Sequence, residues 1–464
     1  MMTTFFLRLA LLSVLLLPVL GGCVTDAGVT PMSVAKAIPA ASSAVIVPAA
    51  APVLIAPKEP TSIVRLRDAL ALALLQNPEL STATYDIRAA EARIIQAGLI
   101  PNPEITGEVE DFGGTGERRG FNTTQSTLSL AQLIELGAKR TKRIRLAQVD
   151  QTLAGWDYEA KRLDILVDTV RAFVDVLATQ RKVALAESLL ELDQRLYGTV
   201  AERVKAGRAS PLEDQRAQVV VANSRIALTR ERSELQAAKQ RLSAMWGTTN
   251  PRFTRAVGDL EDAGPIMPLP QLLSFAAQNP DLARWSAEII QRQARLSVER
   301  SRAVPDPRVT AGVRRYNDRN DTAFLAGVSV PIPIYGLNTG NIREAEKLLE
   351  KGQEQKRAAN LRVDLGISQA YQKLSAAYNE ITALKRDVLP VAETAAEAAR
   401  IGYQEGRFGL LQIIDAQRAL AEGRARLIDA YATYHAALAD AERLTGQPLR
   451  RLDRRASHQR GEKR

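Results

Sequence analysis

Few residues in this chain can do chemistry, and the one whose spacing specifies a reaction is Cys23. It closes Leu20-Gly21-Gly22-Cys23, the pattern of a bacterial lipobox, in which the chain is cleaved before the cysteine and the cysteine is acylated. It is also the sole cysteine, which excludes internal disulfides and thiolate metal sites. Of the two histidines, His435 falls in a helical pattern beside Tyr431 and Tyr434, as a packed residue would, and His458 lies in a basic tail. One thiol and two imidazoles cannot select zinc, cobalt, copper or nickel, so no metal site is expected. Gly113-Gly114-Thr115-Gly116 stands between two predicted strands rather than before a helix, which reads as a hairpin loop and not a phosphate cradle. Neither an enzyme nor a cofactor site is expected.

Residues 1–22 read as an export signal: Arg8, an apolar run from Leu9 to Leu20, then small residues. The run is shorter than the ~20 residues a spanning helix needs. An Ala/Val/Pro-rich stretch over 23–60 reads as an extended tether. The tail, 448–464, is basic and polar and carries much of the net charge of +10. Charge gathered in a tail, without interleaved aromatic residues, on an exported chain is no sign of nucleic-acid binding.

The elements that would position functional groups come twice. Asn77-Pro78-Glu79-Leu80 returns as Asn279-Pro280-Asp281-Leu282, and Pro101-Asn102-Pro103 as Pro305-Asp306-Pro307. The offset, roughly 200 residues, is one large unit repeated and far exceeds solenoid periods. We assign the first unit to 61–250, a loop-rich linker to 251–268 and the second unit to 269–447. In each, a helix (63–97; 269–304) precedes two alternating segments, a long helix (139–205; 341–405), a glycine turn and a last helix (211–246; 410–444). Leu163, Leu166, Val167, Val170, Phe173, Val174 and Leu177 follow a coiled-coil seam, and 67 helical residues would make a rod of about 100 Å.

Between the first helix and the rod of each unit the apolar period changes from 3.6 to 2. Leu128, Leu130 and Ile134 alternate with polar residues in 125–136, and Phe324, Val328, Val330 and Ile332 do so in 323–335. Paired with 104–111 and 308–316, these segments make two hairpins whose strands are long enough to cross a bilayer when tilted. Their apolar residues are the expected lipid face. Four strands cannot close a barrel and an open edge cannot survive in lipid, so the chain is expected to oligomerise, with three copies giving twelve strands. A soluble hairpin domain on a coiled coil is the alternative.

Over about 63–447 the sequence resembles the TolC-like outer-membrane efflux protein family. The matching residues are Asn77-Pro78-Glu79-Leu80, Pro101-Asn102-Pro103-Glu104, Ile134-Glu135-Leu136-Gly137-Ala138-Lys139-Arg140, and Gly406-Arg407-Phe408-Gly409 leading to Asp415-Ala416-Gln417-Arg418. The Pro-Asn-Pro and Gly-x-Lys-Arg elements are closest to the CzcC-like heavy-metal branch. The chain departs from that branch at Ala138, where a second glycine is usual, and at Leu133, where a proline often stands. The resemblance implies a mainly α fold: a homotrimer with a helical barrel across the periplasm and a twelve-stranded membrane barrel. It implies as partners a periplasmic adaptor and a proton-driven inner-membrane pump of the resistance-nodulation-division type.

The expected adaptor-contact turns are Gly207, Arg208, Ser210 and Pro211, and Gly406, Arg407, Phe408 and Gly409. Pro390 is expected to kink the second rod toward the axis. The family places acidic residues at the constriction just after the second tip, which points to Asp415, with Gln412 one turn earlier weakening the ring. Capping, or pairing with Arg418, is the local alternative for Asp415. Asp193 on the first rod is expected to be exposed. The sequence thus reads as a lipid-anchored outer-membrane conduit for heavy-metal cations, with a drug or organic-solute channel, or a periplasmic coiled-coil tether, as competing functions.

Overall fold

Two asparagines show why the chain folds as one unit used twice. The computed structural model describes residues 59–447 and Leu449, so the signal, Cys23, the tether up to residue 58 and the basic tail apart from Leu449 lie outside the described residues. Strand β1 (Ile63–Arg65) leads into α1 (Leu66–Gln76) and α2 (Pro78–Ala97). Between the helices Asn77 Oδ1 accepts the N–H groups of Glu79 at 2.8 Å and Leu80 at 3.2 Å, while Pro78 fills a position that needs no N–H. The Asn77 amide donates to the Met245 carbonyl at 2.9 Å, just beyond α4 (Pro211–Ala244). Asn279 repeats the arrangement before α6 (Pro280–Arg302): it accepts from Asp281 at 2.7 Å and donates to Leu444 at 2.8 Å, at the end of α9 (Leu410–Thr445).

Each asparagine therefore joins the start of one short helix to the end of another, and the joined pair lines a single rod. Along α3 (Lys139–Lys205), Lys161 pairs with Glu79 and Gln151 with Glu91, then Arg241 with Asp175 and Arg232 with Glu187. The falling numbers on one side against rising numbers on the other describe α2 and α4 laid end to end, antiparallel to α3. The second rod is α7 (Thr339–Ala383), a π-helical turn at Leu384–Val388, and α8 (Leu389–Gln404), with α6 and α9 against it. Arg284 pairs with Asp157, and Arg443 with Asp164 and Asp281, which seats α6/α9 on α3. The wall runs α2/α4, α3, α6/α9, α7/α8. The largest apolar cluster, around Phe173, Trp246, Phe253 and Tyr434, lies where α3, α4 and α9 meet β1 and β4 (Arg255–Val257).

Several sequence expectations shift here. The first helix begins as a strand, because Ile63–Arg65 pairs in parallel with Arg255–Val257 inside the segment read as loop. The helix read over 269–304 divides into α5 (Leu269–Ser274), a short 3₁₀ turn and α6, since Asn279-Pro280 ends one helix and caps the next. Asp193 is buried, not exposed, and accepts a hydrogen bond from the Ser224 hydroxyl. Burial raises its carboxyl above the ordinary value, and the hydroxyl partly offsets this. A raised folded pKa favours the protonated form, so its contribution is full in acid and lost as pH climbs through that pKa. Asp193→Asn should therefore raise the melting temperature at pH 7 and change nothing near pH 4. Equal melting shifts at both pH values would remove this account.

The sheet is β2 (Glu104–Glu110), β3 (Gln125–Leu133), β5 (Arg308–Tyr316) and β6 (Asp321–Ser329), antiparallel in that order, with β2 and β6 as unpaired edges. The strand expected over 323–335 ends at Ser329. Pro331 and Pro333 have no N–H to donate, so the ladder stops before them. Val330 and Ile332 accordingly leave the lipid-face strand set, and so does Ile134, one residue past β3, whose N–H donates to the Pro307 carbonyl at 2.9 Å.

Candidate functional site

The register sorts the sheet into two chemically distinct faces. Ile105, Val109, Leu128, Leu130, Val309, Val313, Phe324 and Val328 share one face, all eight exposed, with Arg315 the only charged residue on it, at the turn end of β5. Of the lipid-face set expected from sequence, Leu128, Leu130, Phe324 and Val328 are here. Glu104, Glu108, Glu110, Arg308 and Arg314 share the other face. Arg308 pairs with Glu104, and Arg314 reaches Glu110 at 3.2 Å and donates to Thr127 at 2.8 Å and Gln125 at 3.2 Å. One apolar and one charged face is the pattern of strands that stand between lipid and water.

The strand-to-rod junction carries the motif 134–140. Gly137 (φ +67°) and Ala138 (φ +56°) both adopt the left-handed backbone. A Cβ on Gly137 would lie 3.0 Å from a methyl of Val304, so glycine is needed there. The usual second glycine at Ala138 has the same explanation: the conformation is one that a Cβ resists. In the second unit Asn338, a residue that tolerates this conformation, takes the place with φ +58°. Lys139 spans the junction, pairing with Asp306 at 2.6 Å, and Leu136 N–H donates to the same carboxylate at 2.8 Å.

At the opposite end of the rods the two tips are alike. Arg208 N–H donates to the Arg203 carbonyl at 2.8 Å and Arg407 N–H to the Gly402 carbonyl at 2.8 Å, with Gly207 and Gly406 in the left-handed conformation between. These are Schellman closures. Ser210 caps α4 through the Leu212 N–H at 3.2 Å, with Pro211 at the first helical position. Gly207, Arg208, Ser210, Pro211, Gly406, Arg407, Phe408 and Gly409 are all exposed. Phe408 leans on Gly402, where any Cβ would collide with its ring.

Sequence reasoning missed what ties the tips together. The Arg203 guanidinium lies 4.5 Å from the Tyr403 ring centroid and donates to the Tyr403 carbonyl. The Tyr403 hydroxyl donates to Glu213 at 3.4 Å. Burial and then the Glu213 charge raise the Tyr403 pKa, against Arg203, so the phenol stays protonated and able to donate. The only available signal was that Arg203 and Tyr403 fall one repeat apart, next to the glycine turns.

Pro390 is the second residue of α8, and the five residues before that helix, Leu384–Val388, form the π turn. A proline ring clashes with the preceding turn, and a widened turn makes room for it. Asp415 is exposed, five residues past the start of α9, whose cap is Gly409. Its side chain makes no hydrogen bond or ion pair among the described residues, with Arg418 or otherwise. Its face of α9 is opposite the buried Leu410, Ile413 and Gln417, and Gln412 is exposed one turn earlier.

A wall of paired rods carrying a two-faced, four-stranded sheet with both edges open is a segment of a membrane channel that crosses by its strands. The chain belongs to the outer membrane efflux protein family, whose model matches residues 69–248 and 272–447. It is similar to the cobalt-zinc-cadmium resistance protein CzcC of Cupriavidus metallidurans, 35% identical over 84% of this chain and 92% of that protein. The nickel and cobalt resistance protein CnrC of the same organism is 30% identical over 67% of this chain and 73% of its own length. Among solved structures, one of CusC aligns with a TM-score of 0.70 at 18% identity, covering 82% of this chain and 91% of that one. The CzcC-like, TolC-like assignment made from sequence therefore stands.

Proposed function

We propose that three copies of this chain close a twelve-stranded outer-membrane barrel continuous with a helical conduit, through which a tripartite exporter discharges heavy-metal cations. The observation that carries it is the sheet with one apolar face, one charged face and two open edges. Its outer strands run in opposite senses, so a neighbour's β2 can extend β6 antiparallel. The two flanks of the wall also bear exposed apolar side chains: Leu212, Val219 and Ile226, spaced by heptads on α4, and Leu361, Leu365 and Val391 on α7/α8. These are the flanks that would meet in a closed ring. The similarity to CzcC and CnrC, whose names state metal resistance, supports metal cations as cargo. With one cysteine and two histidines in the chain, selection among metals falls to an inner-membrane resistance-nodulation-division pump or a periplasmic adaptor docked on the two tips. Cys23, acylated, adds a lipid anchor in the outer membrane.

Asp415, three times around the axis and brought inward at the π turn and Pro390, forms a cation-attracting constriction. Its uncompensated charge is the supporting feature. Like charges in a narrow mouth concentrate counter-ions, so divalent cations should bind there and reduce current. The test is a planar-bilayer recording on purified protein whose native mass in mild detergent is that of three chains. Asp415→Asn should lower cation preference and weaken divalent block, while Asp364→Asn, exposed on α7, should leave both as they were. Identical selectivity and block in wild type and Asp415→Asn would remove the ring, and a folded monomer without conductance would remove the channel.

A further inference from the structure

The segment 330–337, Val-Pro-Ile-Pro-Ile-Tyr-Gly-Leu, joins β6 to α7 and is the most exposed apolar stretch of the described chain. Ile332 is 79% exposed, Ile334 73% and Tyr335 fully so. Water is a poor cover for contiguous apolar side chains of this size. Lipid is a poor cover for its backbone. Two prolines interrupt it, and its sole hydrogen bond among the described residues runs from Ile334 N–H to the Ile332 carbonyl at 2.9 Å. Irregular backbone at membrane depth is tolerated only against protein or a water-filled cavity. Protein is the cover that satisfies both requirements.

The register says which protein. Glu104 is level with Ala131, and Leu133 with Arg308 and Ser329, so Asn102 stands in the same row as Ser329. From that row the chain descends toward the rods on both edges of the sheet. On the β6 edge it is 330–337. On the β2 edge it is the end of α2 and its exit, where Ile95, Leu99 and Ile100 are exposed as well. Resting on the trimeric reading above, we infer that Ile332, Ile334 and Tyr335 of each copy pack on Ile95, Leu99 and Ile100 of the next. An apolar girdle between copies would then sit just below the strands, continuous with the β6–β2 pairing.

A benzophenone amino acid placed at Tyr335 of the full chain, irradiated in native outer membranes, tests this. Adducts should map to 95–100 of another copy, and Ile334→Asp should lower trimer yield on the order of tenfold, as a loss of about 1.4 kcal/mol in assembly implies. Intact trimers with adducts only to lipid, or with none, would overturn the girdle and leave the trimer standing. A monomeric, folded protein in detergent would overturn the trimer itself, and the girdle with it.

Discussion

Phe324→Arg should abolish stable insertion, whereas Gly327→Arg on the same strand should insert and assemble. Phe324 is 88% exposed on the apolar face of the sheet. An arginine near the bilayer midplane of a barrel costs about 2–4 kcal/mol, and in the proposed trimer that cost would be incurred three times. Gly327 lies on the charged face, and a Cβ there meets nothing within 4 Å. An arginine at that position projects into the water-filled side and alters selectivity instead. The measurement is the fraction of each variant recovered as trimer from outer membranes. Val330→Arg should cost less than Phe324→Arg, because Val330, although part of the alternating segment 323–335, stands beyond the end of β6. Equal recovery of Phe324→Arg and Gly327→Arg would mean the faces are assigned wrongly.

The same strand shows what was legible beforehand. Period-two alternation needs only residue types, so the apolar face of 323–329 could be read directly. The alternation continues unbroken to Ile334, however, and says nothing about where pairing ends. Pairing ends where the donors do, and Pro331 and Pro333 mark that limit for a reader who weighs hydrogen bonds above hydropathy. The long helix Lys139–Lys205 was legible, since no proline and no helix-ending glycine interrupts it. Asp193 shows the converse. A carboxylate on a long helix is ordinarily solvated, and only packing against Ser224 of α4, 31 residues away, buries it. The Arg203, Tyr403 and Glu213 contacts were beyond reach for the same reason: they depend on how the two tips meet, which no local pattern encodes. At the junction, by contrast, the departure at Ala138 was visible in the sequence, and its left-handed backbone gives the physical reason a glycine is usual there.

Asn279→Ala should destabilise the folded chain by about 2–4 kcal/mol. The residue is fully buried. Losing its acceptor removes a helix cap, worth about 1 kcal/mol. Losing its amide leaves the carbonyl of half-buried Leu444 without that donor, a further cost of about 1–3 kcal/mol. The two roles are separable, because Asn279→Asp keeps an oxygen for the Asp281 N–H but faces the Leu444 carbonyl with a second acceptor. If the residue merely capped α6, Asn279→Asp would melt like wild type. If it also fastens α6 to the end of α9, Asn279→Asp should fall with alanine, since an oxygen opposed to a carbonyl repels it and a buried charge is added. Asn77→Ala should fall in the same range, because Asn77 holds the same kind of cap and donates to a carbonyl, that of Met245, on a residue half-buried as Leu444 is. Thermal unfolding of the three variants decides among these. It also bears on the architecture, because end-to-end fastening at each Asn-Pro is what lets two short helices stand as tall as one rod, and without it the tips at Gly207 and Gly406 would not be held level.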